Sequence, residues 1–183
     1  EDLARLWSDF AGALDPAALS WIGKPAPAFA GKKLEWIAGG PLAPAALAGK
    51  TVVVDLWDAT SLNCLRTLPY LKAWHERYAT DGLVTVGIHV PEFPFGREAG
   101  HVRRAVETLG IPYAVVSDPG LELMAAWRNV GWPRKWIIGP DGIVRADHVG
   151  EGGYDEFEAA IRASLGAAKD GRRWPEIMDP VRP

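Results

Sequence analysis

Apolar positions divide the chain into short β-branched runs that alternate with longer, helically spaced stretches. Leu3, Leu6, Trp7, Phe10 and Leu14 fall at helical spacing before Asp15-Pro16, which predicts a short amphipathic helix within residues 1–20. A Pro/Gly/Ala-rich approach follows, with one short hairpin or edge strand expected at 33–37. The pattern then predicts a strand at 51–57, a helix at 61–79, a strand at 83–90 and a loop through 91–96. A helix at 99–109, a strand at 113–116 and a helix at 121–129 come next. Strands at 135–139 and 143–149 flank Asp141-Gly142, the strongest hairpin signal in the chain, and a helix at 154–165 closes the series. The order βαβαβα, then a β-hairpin, then α, predicts an α/β fold with a central mixed sheet and helices on both faces. The expected organisation is an N-terminal extension over 1–20, one domain over 21–166 and a tail or linker over 167–183. Trp174 and Ile177 are the tail residues suited to dock back on the domain.

Composition narrows the function classes. The chain has 183 residues, 48% of them apolar, which suits one such domain. Net charge is −3, and the basic pairs Lys32-Lys33, Arg103-Arg104 and Arg172-Arg173 are dispersed without interleaved aromatics, so no nucleic-acid partner is expected. No apolar run approaches the ~20 residues of a membrane span. A chain opening on Glu1 rather than Met is expected to be a processed product or a piece of something longer. His75, His89, His101 and His148 lack metal-ligand spacing, so neither a metal nor a cofactor is expected.

The candidate chemistry centres on the single cysteine, Cys64, in TVVVDLWDATSLNCLRTLPYL. It falls where the 51–57 strand gives way to a helix, and helix N-termini stabilise thiolates. Ser61, three residues earlier, is placed to cap that helix through the Cys64 N–H. Pro69 lies inside the same helix, where proline kinks. Trp132-Pro133 precedes a strand, the setting of a cis-proline that presents backbone to an extended partner. One cysteine excludes an internal disulfide and leaves the redox compartment undefined.

These residues resemble the thioredoxin-like superfamily, specifically the AhpC/TSA-like redoxins of the TlpA, ResA and DipZ type. The family's opening phrase is matched by Ile22-Gly23-Lys24-Pro25-Ala26-Pro27-Ala28-Phe29, its strand lead-in by Gly49-Lys50 through Trp57, and its closing hairpin by KWIIGPDGIVRADHVG. Pro69 and Pro133 take the places of the helix proline and the cis-proline, and NCLRTLPYL, GIHVPEF and GEGGY have close counterparts in the DipZ-like branch. The resemblance covers about residues 20–166. It implies a thioredoxin-like fold, a protein or small thiol/disulfide partner, an extracytoplasmic site, and membership of a larger membrane-tethered or multidomain protein. The family's attacking cysteine stands at the position of Ser61, so the match carries over the scaffold and the second cysteine, Cys64, but not the nucleophile.

Exchange between dithiols needs one thiolate to attack and another to resolve. Intramolecular C-x-x-C cycling is therefore excluded, and three readings follow. In the first, Cys64 with Ser61 is a single-thiol redox centre of an oxidoreductase whose disulfide exchange is impaired or altered. In its peroxidase form, Ser61-x-x-Cys64 resembles the Thr/Ser-x-x-Cys of peroxiredoxins, although Trp57 replaces their proline. Arg66, Arg128 and Arg134 are the candidates for their supporting arginine. In the second, a groove formed by Trp57, Asn63, Trp132 and Pro133 binds an extended peptide without chemistry. The third is an engineered cysteine-to-serine change. Arg66 and Glu92 are candidates to tune the site, with Glu92 or Glu151 as a proton acceptor. Trp57 and Trp132 flank the site, while Trp74, Trp127 and Trp136 read as core and groove wall. Dipole, Ser61 and Arg66 favour a Cys64 thiolate; burial by Leu62, Leu65 and Trp57 opposes it with similar strength.

Overall fold

The computed structural model describes residues 20–166, 171 and 173–177. The helix expected in residues 1–20 lies outside the described residues except for Ser20. Strands β1 (Glu35–Ala38), β2 (Thr51–Trp57), β3 (Leu83–His89), β4 (Ala114–Ser117), β5 (Arg134–Ile138) and β6 (Val144–Val149) form one sheet in the order β1-β4-β3-β2-β5-β6. β2, β3 and β4 run parallel, whereas β5, β6 and β1 pair antiparallel to their neighbours. This is the mixed α/β sheet that the alternation of elements predicts. β2 occupies the middle because all seven of its residues are buried, as a β-branched run covered on both faces requires.

Helices α1 (Pro44–Leu47), α2 (Leu62–Tyr78), α3 (Ala99–Leu109), α4 (Glu122–Ala126) and α5 (Tyr154–Leu165) complete the domain. Strand alternation sends Val53 and Trp57 to one face, where they meet Leu68, Leu71 and Trp74 of α2, Val102 and Val106 of α3, and Phe157 and Ile161 of α5. Val52, Val54 and Leu56 face the other side, against Leu123, Trp127, Trp136 and the approach residues Trp21, Phe29 and Leu34. Two helical details differ from the sequence pattern. α4 ends at Ala126 rather than near 129, because Leu121 and Arg128 adopt left-handed backbone (φ 58° and 47°). The Asp118 carboxylate fixes its start by accepting the Glu122 and Met124 N–H groups at 2.7 and 2.9 Å. α1 is a single turn in a Pro/Ala-rich stretch too short to show periodicity.

The segment 174–176 is anchored beside a buried carboxylate. Glu158 accepts hydrogen bonds from Trp74 (3.2 Å), Tyr78 (2.5 Å), Arg77 (3.1 Å) and Arg162 (3.0 Å). The same two arginines donate to the carbonyls of Glu176 and Pro175, and Trp174 packs edge-on against Tyr78 at 5.3 Å. Trp174 thus docks back onto α2.

Core packing here carries stability rather than function. Leu71→Ala, at a wholly buried site, is expected to cost about 2–5 kcal/mol in urea unfolding. Leu62→Ala, at a position 59% exposed, is expected to change stability by no more than about 0.5 kcal/mol.

Candidate functional site

β2 ends at Trp57, and four residues, Asp58 to Ser61, return the chain to the start of α2. Asp58 organises that loop. Its buried carboxylate accepts the Thr60 N–H (2.6 Å), the Thr60 hydroxyl and, from the loop after β3, the Glu92 N–H (3.0 Å). Ser61 is the N-cap, its hydroxyl accepting the Cys64 N–H at 3.4 Å. Cys64 therefore lies in the first turn of α2, and the Asp58 N–H points at its Sγ from 3.5 Å.

The helix start does not produce a thiolate. Cys64 is wholly buried, and burial pushes its thiol up to about 11. The Ser61 and Asp58 hydrogen bonds pull the other way, and the negative charges of Asp55 and Asp58 add to the rise. At pH 7 such a thiol is ionised in roughly one molecule in ten thousand. Desolvation exceeds the hydrogen bonds from Ser61 and Asp58.

Beneath the thiol lie two charged residues that no motif flags. Asp55 of β2 and Lys135 of β5 are cross-strand partners, both fully buried. Neither Asp55 oxygen has a hydrogen-bond partner among the described residues; burial raises its carboxyl to about 7, with Lys135 drawing it down. Lys135 donates to the Gly150 carbonyl at 3.0 Å and lies 5.9 Å from the Tyr154 ring centre. Burial lowers its ammonium, against the pull of Asp55, Cys64 and Glu151. Gly87 stands opposite Asp55 on β3, where a Cβ would come within 3.0 Å of Trp57 Nε1. The available signal was a charged residue within a mostly apolar strand, Asp55 in TVVVDLW and Lys135 in RKWII.

The other site residues are distributed around this centre. Trp57 is buried with its ring against His89 (5.2 Å), whose Nε2 accepts the Ala59 N–H at 3.2 Å. Burial pushes the His89 imidazole down. Trp132–Pro133 is a cis peptide, directly before Arg134, which pairs with Leu56 at the end of the β2–β5 ladder. Trp132 is half-buried, whereas Asn63 is exposed. Arg66 turns to Glu151 (3.5 Å), and the exposed Glu92 meets Asp58 through its backbone alone. Arg134 forms a two-pronged pair with Asp147 (2.7 and 2.8 Å), and Arg128 lies over Trp21 at 5.5 Å.

Two concavities flank the Ser61–Cys64 turn. One, of about 540 Å³, lies between Leu62, Leu65 and Pro69 of α2 and Glu151 and Tyr154 beyond β6. The other, about 210 Å³, lies between Thr60, His89, Phe95 and His101. Leu62, Phe93, Phe95, Val130 and Val149 are large apolar side chains exposed on the loops and strand ends of this edge of the sheet. A further cavity of about 500 Å³, walled by Phe29, Leu47, Val52 and Ile138, lies at the far end of β2, away from Cys64. Among the described residues, no group of three His, Cys, Asp or Glu side chains is arranged to hold a metal ion.

Comparison with known proteins agrees with this architecture. The AhpC/TSA family model matches residues 22–147. Protein DipZ of Mycobacterium tuberculosis is 33% identical over 143 residues, 78% of this chain but 21% of DipZ. The thiol-disulfide oxidoreductase ResA of Bacillus anthracis is 24% identical over 141 residues, 77% of each chain. A thioredoxin-family thiol:disulfide interchange protein from Chlorobium tepidum superposes with a TM-score of 0.66 at 27% identity, covering 78% of this chain and 96% of that one. The chain thus spans about a fifth of the length of DipZ.

The raised Asp55 carboxyl has a pH signature. A carboxyl that binds its proton more tightly when folded stabilises the fold at pH values below its ordinary 3.8, and that contribution is lost as pH rises to about 7. The urea midpoint of Asp55→Asn minus that of the wild type should therefore climb between pH 4 and 7 and level off above. A difference constant across that window contradicts a raised Asp55.

Proposed function

The chain belongs to the AhpC/TSA family, and on that premise we propose that it is a thioredoxin-like, thiol-disulfide oxidoreductase-type domain that has lost dithiol exchange. In this reading its groove engages an extended polypeptide without covalent chemistry, and Cys64 persists as the shielded second thiol of the ancestral pair. The observation that carries it is the state of Cys64: wholly buried, with its thiol pushed up to about 11. A nucleophile must be ionised and reachable, and this thiol is neither. Ser61, at the position of the missing sulfur, forms no exchangeable bond with a disulfide and serves as a helix cap.

What is kept points to binding. The cis Trp132–Pro133 peptide, the half-buried Trp132 and the exposed apolar side chains Leu62, Val130 and Val149 lie along one edge. Such a surface suits an extended chain whose backbone pairs with loop backbone while its side chains enter the flanking concavities. The single-thiol peroxidase reading needs an open path to Cys64 and a low thiol pKa, so it is the weaker of the two. The length of DipZ beyond the match supports placement within a larger protein, and the resemblance to the ResA and DipZ type supports work outside the cytoplasmic membrane.

The reading predicts that the wild-type chain does not reduce insulin with a dithiol donor, yet binds a permanently unfolded, carboxymethylated protein. Leu62→Asp should weaken that binding by about tenfold, the scale of losing one well-placed anchor. Ser61→Cys should form an intramolecular disulfide with Cys64 in oxidised-glutathione buffer, read as the loss of both titratable thiols by mass. Insulin reduction by the wild type, or no binding to the unfolded probe, contradicts the proposal.

A further inference from the structure

We infer that Lys135 is a positioning residue for the groove wall: its ammonium holds residues 150–153 in place from inside the fold and releases them when Asp55 becomes charged. The inference rests on the reading of this groove as the partner site. Its test observes the wall directly, so it stands or falls without a partner.

The wall has little to hold it from its own side chains. Gly150, Gly152 and Gly153 have φ of 87°, 83° and 57°, and only Glu151 among these four residues carries a side chain. On the outer side that side chain makes a 3.5 Å ion pair with the half-exposed Arg66, a weak tie in water. The inner ties are stronger. Gly150 N–H donates to the Pro133 carbonyl at 2.8 Å, and Lys135 Nζ donates to the Gly150 carbonyl at 3.0 Å. The same ammonium lies 5.9 Å from the Tyr154 ring, which stacks on Tyr70 of α2 at 3.5 Å. Lys135 thus links β5 to both the wall and the first residue of α5.

Asp55 is the competitor. It sits directly across from Lys135 in the β2–β5 register, equally buried, yet neither of its oxygens has a hydrogen-bond partner among the described residues. The ammonium is committed to the wall rather than to the adjacent acid. That choice suits a protonated Asp55, which attracts a cation weakly. An ionised Asp55 in a poorly solvated interior attracts it strongly and draws Nζ away from Gly150. Burial moves the Asp55 transition to about pH 7, so the competition turns on in the neutral range. The other titratable groups that feel this pair are Cys64 of α2 and Tyr113 before β4, which face Asp55. Glu151 in the wall, Tyr154 of α5 and His148 of β6 interact with Lys135 or the wall. Of these, His148 is the one whose ordinary range lies near neutral, and burial pushes it down.

Amide hydrogen exchange of Gly150, whose N–H donates to the Pro133 carbonyl at 2.8 Å, corrected for the intrinsic pH dependence, tests the inference. In the wild type the corrected rate should rise about fivefold from pH 6 to pH 8, as a local opening becomes easier. Asp55→Asn should remain slow and flat, and Lys135→Met should be fast at both pH values. A wild-type rate flat with pH overturns the inference. So does a rise that persists in Asp55→Asn, which assigns it to His148, or a folded Lys135→Met with a wall as slow as the wild type. Should Lys135→Met fail to fold, the wild type and Asp55→Asn decide the matter between them.

Discussion

β2 is buried along all seven residues, and the loop that follows it stays buried as far as Asp58. Asp55 and Cys64, at that end of the strand, therefore titrate against a desolvation cost. Asp55 is raised to about 7 and Cys64 to about 11, with burial the largest cause of each. The devices that usually lower a thiol pKa are in place: a serine N-cap, a helix start and an N–H directed at sulfur. They contribute, and they are outweighed. A thiol in that condition suits a resolving position, which waits to be reached, better than an attacking one, which must be ionised beforehand.

The architecture around Ser61 does not depend on a sulfur at that position. Asp58 joins the turn to the loop after β3 through three hydrogen bonds, and Ser61 caps α2 as well as any residue can. The cis Trp132–Pro133 peptide stands at the start of β5, and Leu62 is exposed. On the proposed reading, loss of chemistry costs the fold little and the domain keeps its exposed apolar surface.

Local patterns made most of this legible. The β-branched runs, the Asp141-Gly142 turn and the Ser61 cap each act within a few residues, and each element predicted between residues 33 and 165 lies within a few residues of its expected position. α4 escaped because its start is set by Asp118, whose carboxylate reaches forward to Glu122 and Met124, and its end by a left-handed Arg128. The Asp55–Lys135 pair escaped for a different reason. The two residues are 80 positions apart and meet only through the β2–β5 register. A charge inside an apolar strand marks each one, but sequence alone does not say that they face each other beneath Cys64. The balance between dipole and burial at Cys64 was likewise undecidable beforehand, since its outcome depends on the helices and strands that close over the thiol.

The central claim is that desolvation, rather than the helix start, governs Cys64. Its most direct test is mass-detected alkylation of the native protein with iodoacetamide across pH 6 to 10, with the urea-unfolded chain as reference. The account predicts a native thiol that labels far more slowly than the unfolded one throughout, with no plateau by pH 10, and that gives no sulfenic adduct with peroxide. A native thiol that labels readily with a midpoint well below pH 8, or that yields a sulfenic adduct, contradicts it.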